Sequence, residues 1–204
     1  MHLSPALPAP TSHARVGLAL ALWFAAAFAL SGPVARGPAF LVPLTLWSCV
    51  LAVALYWRRS PSLQAWTAQL DLRAPILWHT VRVYFGVRFL QLYAAGELPG
   101  TFALAAGWGD IVAGALALPA ALAVSRPGAR RWVLAWNALA FADILFVVLN
   151  AARLFLTQRE SMAAFTQLPL RLLPLFIVPL VILSHGLVFV RLRRAGRAIA
   201  ASHA

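Results

Sequence analysis

The sequence contains no lysine, and only five of its 204 residues are acidic. Without a lysine amine there is no place for a Schiff base, which excludes covalent retinal or pyridoxal chemistry. A single cysteine, Cys49, excludes an intramolecular disulfide and a cysteine-only metal site. It sits in an apolar run and reads as a small hydrophobe. The five acids, Asp71, Glu97, Asp110, Asp143 and Glu160, leave acid–base catalysis few candidates. Gly-x-Ser-x-Gly, His-Glu-x-x-His and the Walker phosphate loop are all absent. The reading therefore leans against an enzyme.

What fills the chain instead is apolar: 62% of residues are hydrophobic and 11% charged. Soluble domains carry about a quarter charged residues, and one soluble core of this length cannot hide so much apolar surface. A lipid bilayer can. At about twenty residues per crossing, the length accommodates roughly six transmembrane helices. The expectation is an all-α polytopic transmembrane bundle of about six helices with a short cytoplasmic interfacial helix. It divides into a disordered tail at 1–14, a six-helix transmembrane domain at 15–195 and a cytoplasmic tail at 196–204.

A net charge of +12 invites a nucleic-acid partner, but its distribution argues against one. The arginines gather between apolar runs, at Arg58 and Arg59, at Arg126, Arg130 and Arg131, and at Arg191, Arg193, Arg194 and Arg197. Cytoplasmic loops carry such an excess. The pattern places the protein in the inner (plasma) membrane with both termini cytoplasmic. It also puts Trp57, Trp78 and Trp132 at the inner interface.

Six apolar runs follow. Val16 to Ser31 comes after Arg15. A retained helix is favoured over a cleaved signal peptide, because Ser31-Gly32-Pro33-Val34-Ala35 lacks a clean small-x-small site. The second run covers Ala39 to Trp57, with Pro43 in its first turn. Ser60-Pro61 then starts a short helix carrying Leu63, Trp66 and Leu70 at helical spacing, suited to an interface. The third run covers Pro75 to Ala95 and ends at Glu97-Leu98-Pro99-Gly100, which reads as a type II turn. The fourth, Phe102 to Val124, is either one helix or a re-entrant piece broken at Gly107-Trp108-Gly109-Asp110. The fifth covers Trp132 to Phe155. The sixth covers Leu172 to Val190, and Pro174 and Pro179 should bend it.

Ionisable groups inside hydrocarbon cost about 2.5–3.5 kcal/mol on insertion scales, so they find partners. At about 1.5 Å rise per residue, Arg82 and Asp143 match in depth near mid-membrane. Arg88 and Asp110 match nearer the outer side. Two ion pairs are expected on those matches. With Gln91 and Asn150, these four form the expected buried polar network. Asp143 and Asn150, seven apart, share a helix face. His79 and His185 also match in depth. A satisfied hydrogen bond to a neighbouring helix is the plain reading of each histidine, and helix-to-helix glue that of the Arg–Asp pairs. Asp110 after Gly109 is also a possible helix cap.

The stretch from Gln91 through Gly96-Glu97-Leu98-Pro99-Gly100, continuing through Phe102 to Gly107-Trp108-Gly109-Asp110, resembles an uncharacterised bacterial multi-pass membrane protein family. The resemblance covers about a third of the chain and implies no activity. It singles out Arg88, Glu97, Pro99 and Asp110 as a unit.

The leading functional expectation is transport or permeation of a small solute or proton through the Arg–Asp network, with the proline-bent sixth helix as the movable element. The solute itself is not legible. The alternative is a b-type haem redox protein, with His79 and His185 as axial ligands and Arg82 meeting a propionate. A third class is a non-catalytic membrane subunit or assembly factor. No other metal site is assigned. The expected partners are the lipid bilayer and either a second copy, as a homodimer, or a partner membrane subunit.

Overall fold

Serine, proline and glycine punctuate this apolar chain, and the helices begin and end at them. A computed structural model describes residues 11–126 and 128–202. Ser12 caps α1 (His13–Arg36) by accepting from Arg15 N at 3.3 Å. Of the expected tail, residues 1–10 lie outside the described residues, while His13 and Ala14 already belong to α1. The helix continues past Ser31, through Pro33, to Arg36.

Helix α2 (Leu41–Arg59) accommodates Pro43 in its first turn, where no intrahelical N–H is needed. The Ser60 side chain accepts from Leu63 N and Pro61 takes the first helical position, which starts α3 (Pro61–Gln69). Polar bonds dock α3. Trp57 Nε1 donates to Thr67 Oγ1 at 2.9 Å, and Gln64 Nε2 donates to the Trp57 and Arg58 carbonyls. At its far end the Arg191 guanidinium donates to Thr67 O and Leu70 O, supplying the donors that a helix C-terminus lacks.

The single run expected from Pro75 to Ala95 is composite. It comprises α4 (Arg73–Leu77), a 3₁₀ turn at Trp78–Thr80 and α5 (Val81–Ala94). The Thr80 hydroxyl donates back to Leu77 O at 2.8 Å, a bond that bends helices. The turn after α5 also differs from expectation. Gly96, with φ +73°, is the left-handed residue. Gly96 N donates to Tyr93 O at 2.9 Å and Glu97 N to Leu92 O at 2.8 Å, which is a Schellman ending. Pro99 is then the N-cap of α6 (Gly100–Ala123), and Gly100 is an ordinary helical residue.

Helix α6 is unbroken through Gly107–Asp110, so no re-entrant piece exists there, and Asp110 caps nothing. Helix α7 (Arg130–Thr157) follows. A 3₁₀ segment (Arg159–Thr166) leads to a short 3₁₀ turn (Leu170–Leu172), a π turn (Leu173–Ile177) and α8 (Val178–Ser202). Pro174 and Pro179 each remove a backbone donor, and the wider π turn absorbs the mismatch. Helix α8 extends well beyond Val190, through most of the expected 196–204 tail; residues 203–204 lie outside the described residues.

The fold is all-helical, with no strand among the described residues. Five helices are long and apolar enough to cross a membrane: α1, α2, α6, α7 and the Leu170–Arg194 stretch. One end of the bundle gathers arginines, with Arg73 beside Ser125, Arg130 on Leu192 O and Arg191 on Leu70 O. Leucines and aromatics such as Leu22, Leu51, Trp108, Leu139 and Leu149 lie exposed on the outside. Such a surface suits hydrocarbon rather than water.

Helices α5 and α6 approach closely, and glycine permits it. A Cβ on Gly86 would stand 2.5 Å from Gly107 O, and one on Gly107 would stand 2.7 Å from Leu90 Cδ2. Small residues at such a crossing let the backbones touch. Gly86→Ala should therefore destabilise the protein by about 1–3 kcal/mol, read as a lower unfolding temperature in detergent. Gly17→Ala, which meets open space, should be neutral or stabilise by up to about 1 kcal/mol. Equal responses from the two variants would show that the seam is not tightly packed.

Candidate functional site

Arg82 is the hub of the buried polar residues. It projects from the first turn of α5 and is 2% exposed. Its Nε donates to Asp110 Oδ1 of α6 at 2.6 Å. Nη1 donates to Ala140 O of α7 at 2.9 Å, and Nη2 donates to Asp143 Oδ2 of α7. One guanidinium thus ties three helices. Asp110 is almost fully buried, whereas the Asp143 side chain keeps 24% of its surface. Among the described residues no second cation pairs with either acid. The cluster therefore holds two carboxyl groups against one guanidinium.

Gly109 makes room for this arrangement. A Cβ there would collide with the Asp143 carboxylate. The Gly-x-Gly at 107–109 therefore serves two contacts: Gly107 admits α5 and Gly109 admits the acid of α7.

One helical turn toward the arginine-rich end lies a second layer. His79, Asn137 and His185 are completely buried. The His79 and His185 rings stand 4.0 Å apart between centroids, tilted by 36°. His79 Nε2 meets Ser184 Oγ at 3.1 Å, and His185 Nδ1 meets Asn137 Oδ1 at 2.8 Å. Trp136 packs edge-on against His79, at 5.4 Å between centroids.

Of the two expected ion pairs, Arg82–Asp143 is present and Arg88–Asp110 is not. Depth and face both stand in the way. Gly86 of α5 sits level with Gly107 of α6 and His79 with Gly114, so Asp110 lies level with the first turn of α5, and Arg88 stands about 7–8 Å away along the axis at about 1.5 Å per residue. Arg88 is six residues on from Arg82, about 240° around the helix at 100° per residue, so the two cannot both address Asp110. Arg88 is half-buried, and its closest polar contact is Gln91 Oε1 at 3.4 Å. Gln91 itself is exposed. Asn150 shares the α6-facing side of α7 with Asp143 but bonds to Thr101 O at 2.9 Å and accepts from Arg153. Arg88, Gln91 and Asn150 thus stand outside the cluster. Nor do Arg88, Glu97, Pro99 and Asp110 form a unit.

The histidine pair does not fit an axially ligated haem. Metal–imidazole bonds of about 2 Å hold two axial rings about 6 Å apart between centroids. Here the rings nearly stack, and Arg82 is committed to two carboxylates rather than open to a propionate. Among the described residues no group of three or more histidines, cysteines or acids converges for a metal.

Two hollows lie between the cluster and the α5–α6 turn, the first of them touching the cluster at Asp110. A cavity of about 60 Å³ is lined by apolar groups, including Phe89, Phe102, Val147, Phe165, Leu173 and Pro174, with Asp110 as its one charged wall. The π turn therefore borders the space beside Asp110. Beyond Phe102 and Phe165 a larger groove of about 570 Å³ opens between residues 96–99 and 160–167, carrying Glu97 and Glu160.

Sequence reasoning passed over Ser184, Gly109 and the second-layer role of Asn137 and Trp136. Only the adjacency of Ser184 to His185 and the doubled glycine hinted at them.

Removing Arg82 strands the buried Asp110 and the partly exposed Asp143, and breaking a buried pair costs about 3–5 kcal/mol. Arg82→Leu should lose that much stability in detergent, and Asp143→Asn, at the partly exposed corner, clearly less. Equal losses would contradict the hub arrangement.

No curated protein and no solved structure matches the chain. Residues 39–193, from the start of α2 to the arginine-rich end of α8 and so including both polar layers, match a family described as a domain of unknown function (DUF8737), and the chain belongs to that family.

Proposed function

We propose that this is a six-crossing inner-membrane protein that passes a proton or a small solute along its buried Arg–Asp cluster. The observation that carries this reading is the composition of the cluster: a buried carboxyl group and a partly exposed one against a single guanidinium. Structural glue between helices is best served by balanced charge. A surplus acid in low dielectric must be neutralised by a proton or a cation, because a bare charge there costs several kcal/mol. Such a site loads and unloads.

Three features support the reading. The composite α4–α5 segment, residues 73–94, is about 33 Å long at helical rise, enough for a sixth crossing. The arginine-rich end fits the cytoplasmic side by the positive-inside rule, with both termini there. The π turn bordering the Asp110 cavity supplies a deformable element where a path must open.

The test is reconstitution of the full chain into proteoliposomes with an imposed pH gradient and a trapped pH dye. Wild type should collapse the gradient about tenfold faster than empty vesicles, and Asp143→Asn and Arg82→Gln should fall back toward the empty rate. Variants that match wild type would end the proposal.

A further inference from the structure

Pro179 leaves a mark one turn earlier in the chain. In an α-helical ladder the N–H of residue 179 bonds the carbonyl of residue 175, and proline has no N–H. A donor to that carbonyl comes from another helix. Trp23 Nε1 of α1 donates to Leu175 O at 2.9 Å. Leu175 is buried, and a buried carbonyl deprived of its donor costs free energy. The indole of α1 therefore supplies a bond that Pro179 cannot.

The aromatic residues around this bond add to the hold. Trp23 and Phe24 both meet the Phe176 ring edge-to-face, at 5.3 and 5.2 Å between centroids. Ala27 closes on Leu175 and Phe176. Toward the Arg36 end of α1, the Arg171 guanidinium lies 5.5 Å from the Phe28 ring centroid, and Arg159 donates to Ala35 O at 3.0 Å.

The same turn forms part of the cavity wall. Leu173, Pro174 and Val178 line the space beside Asp110, while Leu175 and Phe176 meet α1. An irregular ladder such as this one depends on what packs against it. The contact made by α1 is small. Four of its 24 residues are buried, Ala27, Ser31, Gly32 and Ala35, against ten in α6 of the same length. A contact of that size opens at far lower cost than the bundle unfolds.

We propose that α1 is a releasable clamp on the π turn, engaged through Trp23, and that its release frees the adjoining wall of the Asp110 cavity to move. As control of permeation this rests on the function proposed above, but the clamp is measurable without flux. The experiment is hydrogen–deuterium exchange of the full chain in detergent, read in peptides covering residues 170–182. Trp23→Phe keeps a ring on Phe176 and removes the N–H. It should speed exchange there about three- to tenfold, the effect of one hydrogen bond, and leave α6 and α7 unchanged. Pro179→Ala restores a backbone donor, so adding Trp23→Phe to it should change exchange by less than about twofold. If Trp23→Phe fails to fold, Ala27→Leu, which keeps the indole and crowds α1 off Leu175 and Phe176, should give the same local rise. Three results would overturn the inference: unchanged exchange at 170–182, a rise spread evenly over all helices, or an undiminished effect of Trp23→Phe in the Pro179→Ala background. A local rise in a chain that collapses no gradient in vesicles would uphold the clamp and remove the permeation reading. Gradient collapse with no local rise would do the reverse.

Discussion

A guanidinium held away from water must use its donors, and that requirement organises the centre of this protein. Arg82 reaches from α5 to an acid of α6, an acid of α7 and a main-chain carbonyl of α7. Its fork is rigid and planar, so three bonds to two other helices fix their mutual position as apolar packing alone does not. Most of the remaining interior is leucine, valine, isoleucine, alanine and phenylalanine, which fill space without specifying register. The polar cluster supplies the register.

Around the cluster, glycine sets the distances. Gly86 and Gly107 bring α5 onto α6, Gly114 brings His79 O close, and Gly109 admits Asp143. The two polar layers therefore sit where the helices are nearest, not in a wide interior. The stretch around Leu173–Ile177, where two prolines loosen the helical ladder, borders the cavity beside Asp110.

Much of this was legible in the residues, for definable reasons. Long apolar runs gave the helices, and Ser60-Pro61 gave the start of α3 to the residue, because capping is local chemistry. Arg82, Asp110 and Asp143 stood out because charge is rare among apolar neighbours. Azimuth was not legible. Rise can be counted along one helix, but the level at which α5 meets α6 and the face toward which Arg88 points are both set by the glycine seam. The left-handed residue at the α5–α6 turn was misplaced for a related reason. Pro99-Gly100 has turn chemistry of its own, while Gly96 reveals its role only once α5 is known to stop at Ala94. The near-stacking of His79 and His185 could not be read either, since matched depth suits ligation and stacking equally.

The space that Gly109 leaves has a consequence for how this family can vary. The Asp143 carboxylate occupies the volume where any other residue at 109 would place its first carbon. Positions 109 and 143 are therefore not free to drift separately. A relative with alanine at the first should carry a shorter or neutral group at the second, and would then leave Arg82 with a single acid. The tally of charge at the centre of the bundle is thus written in part by a residue that has no side chain.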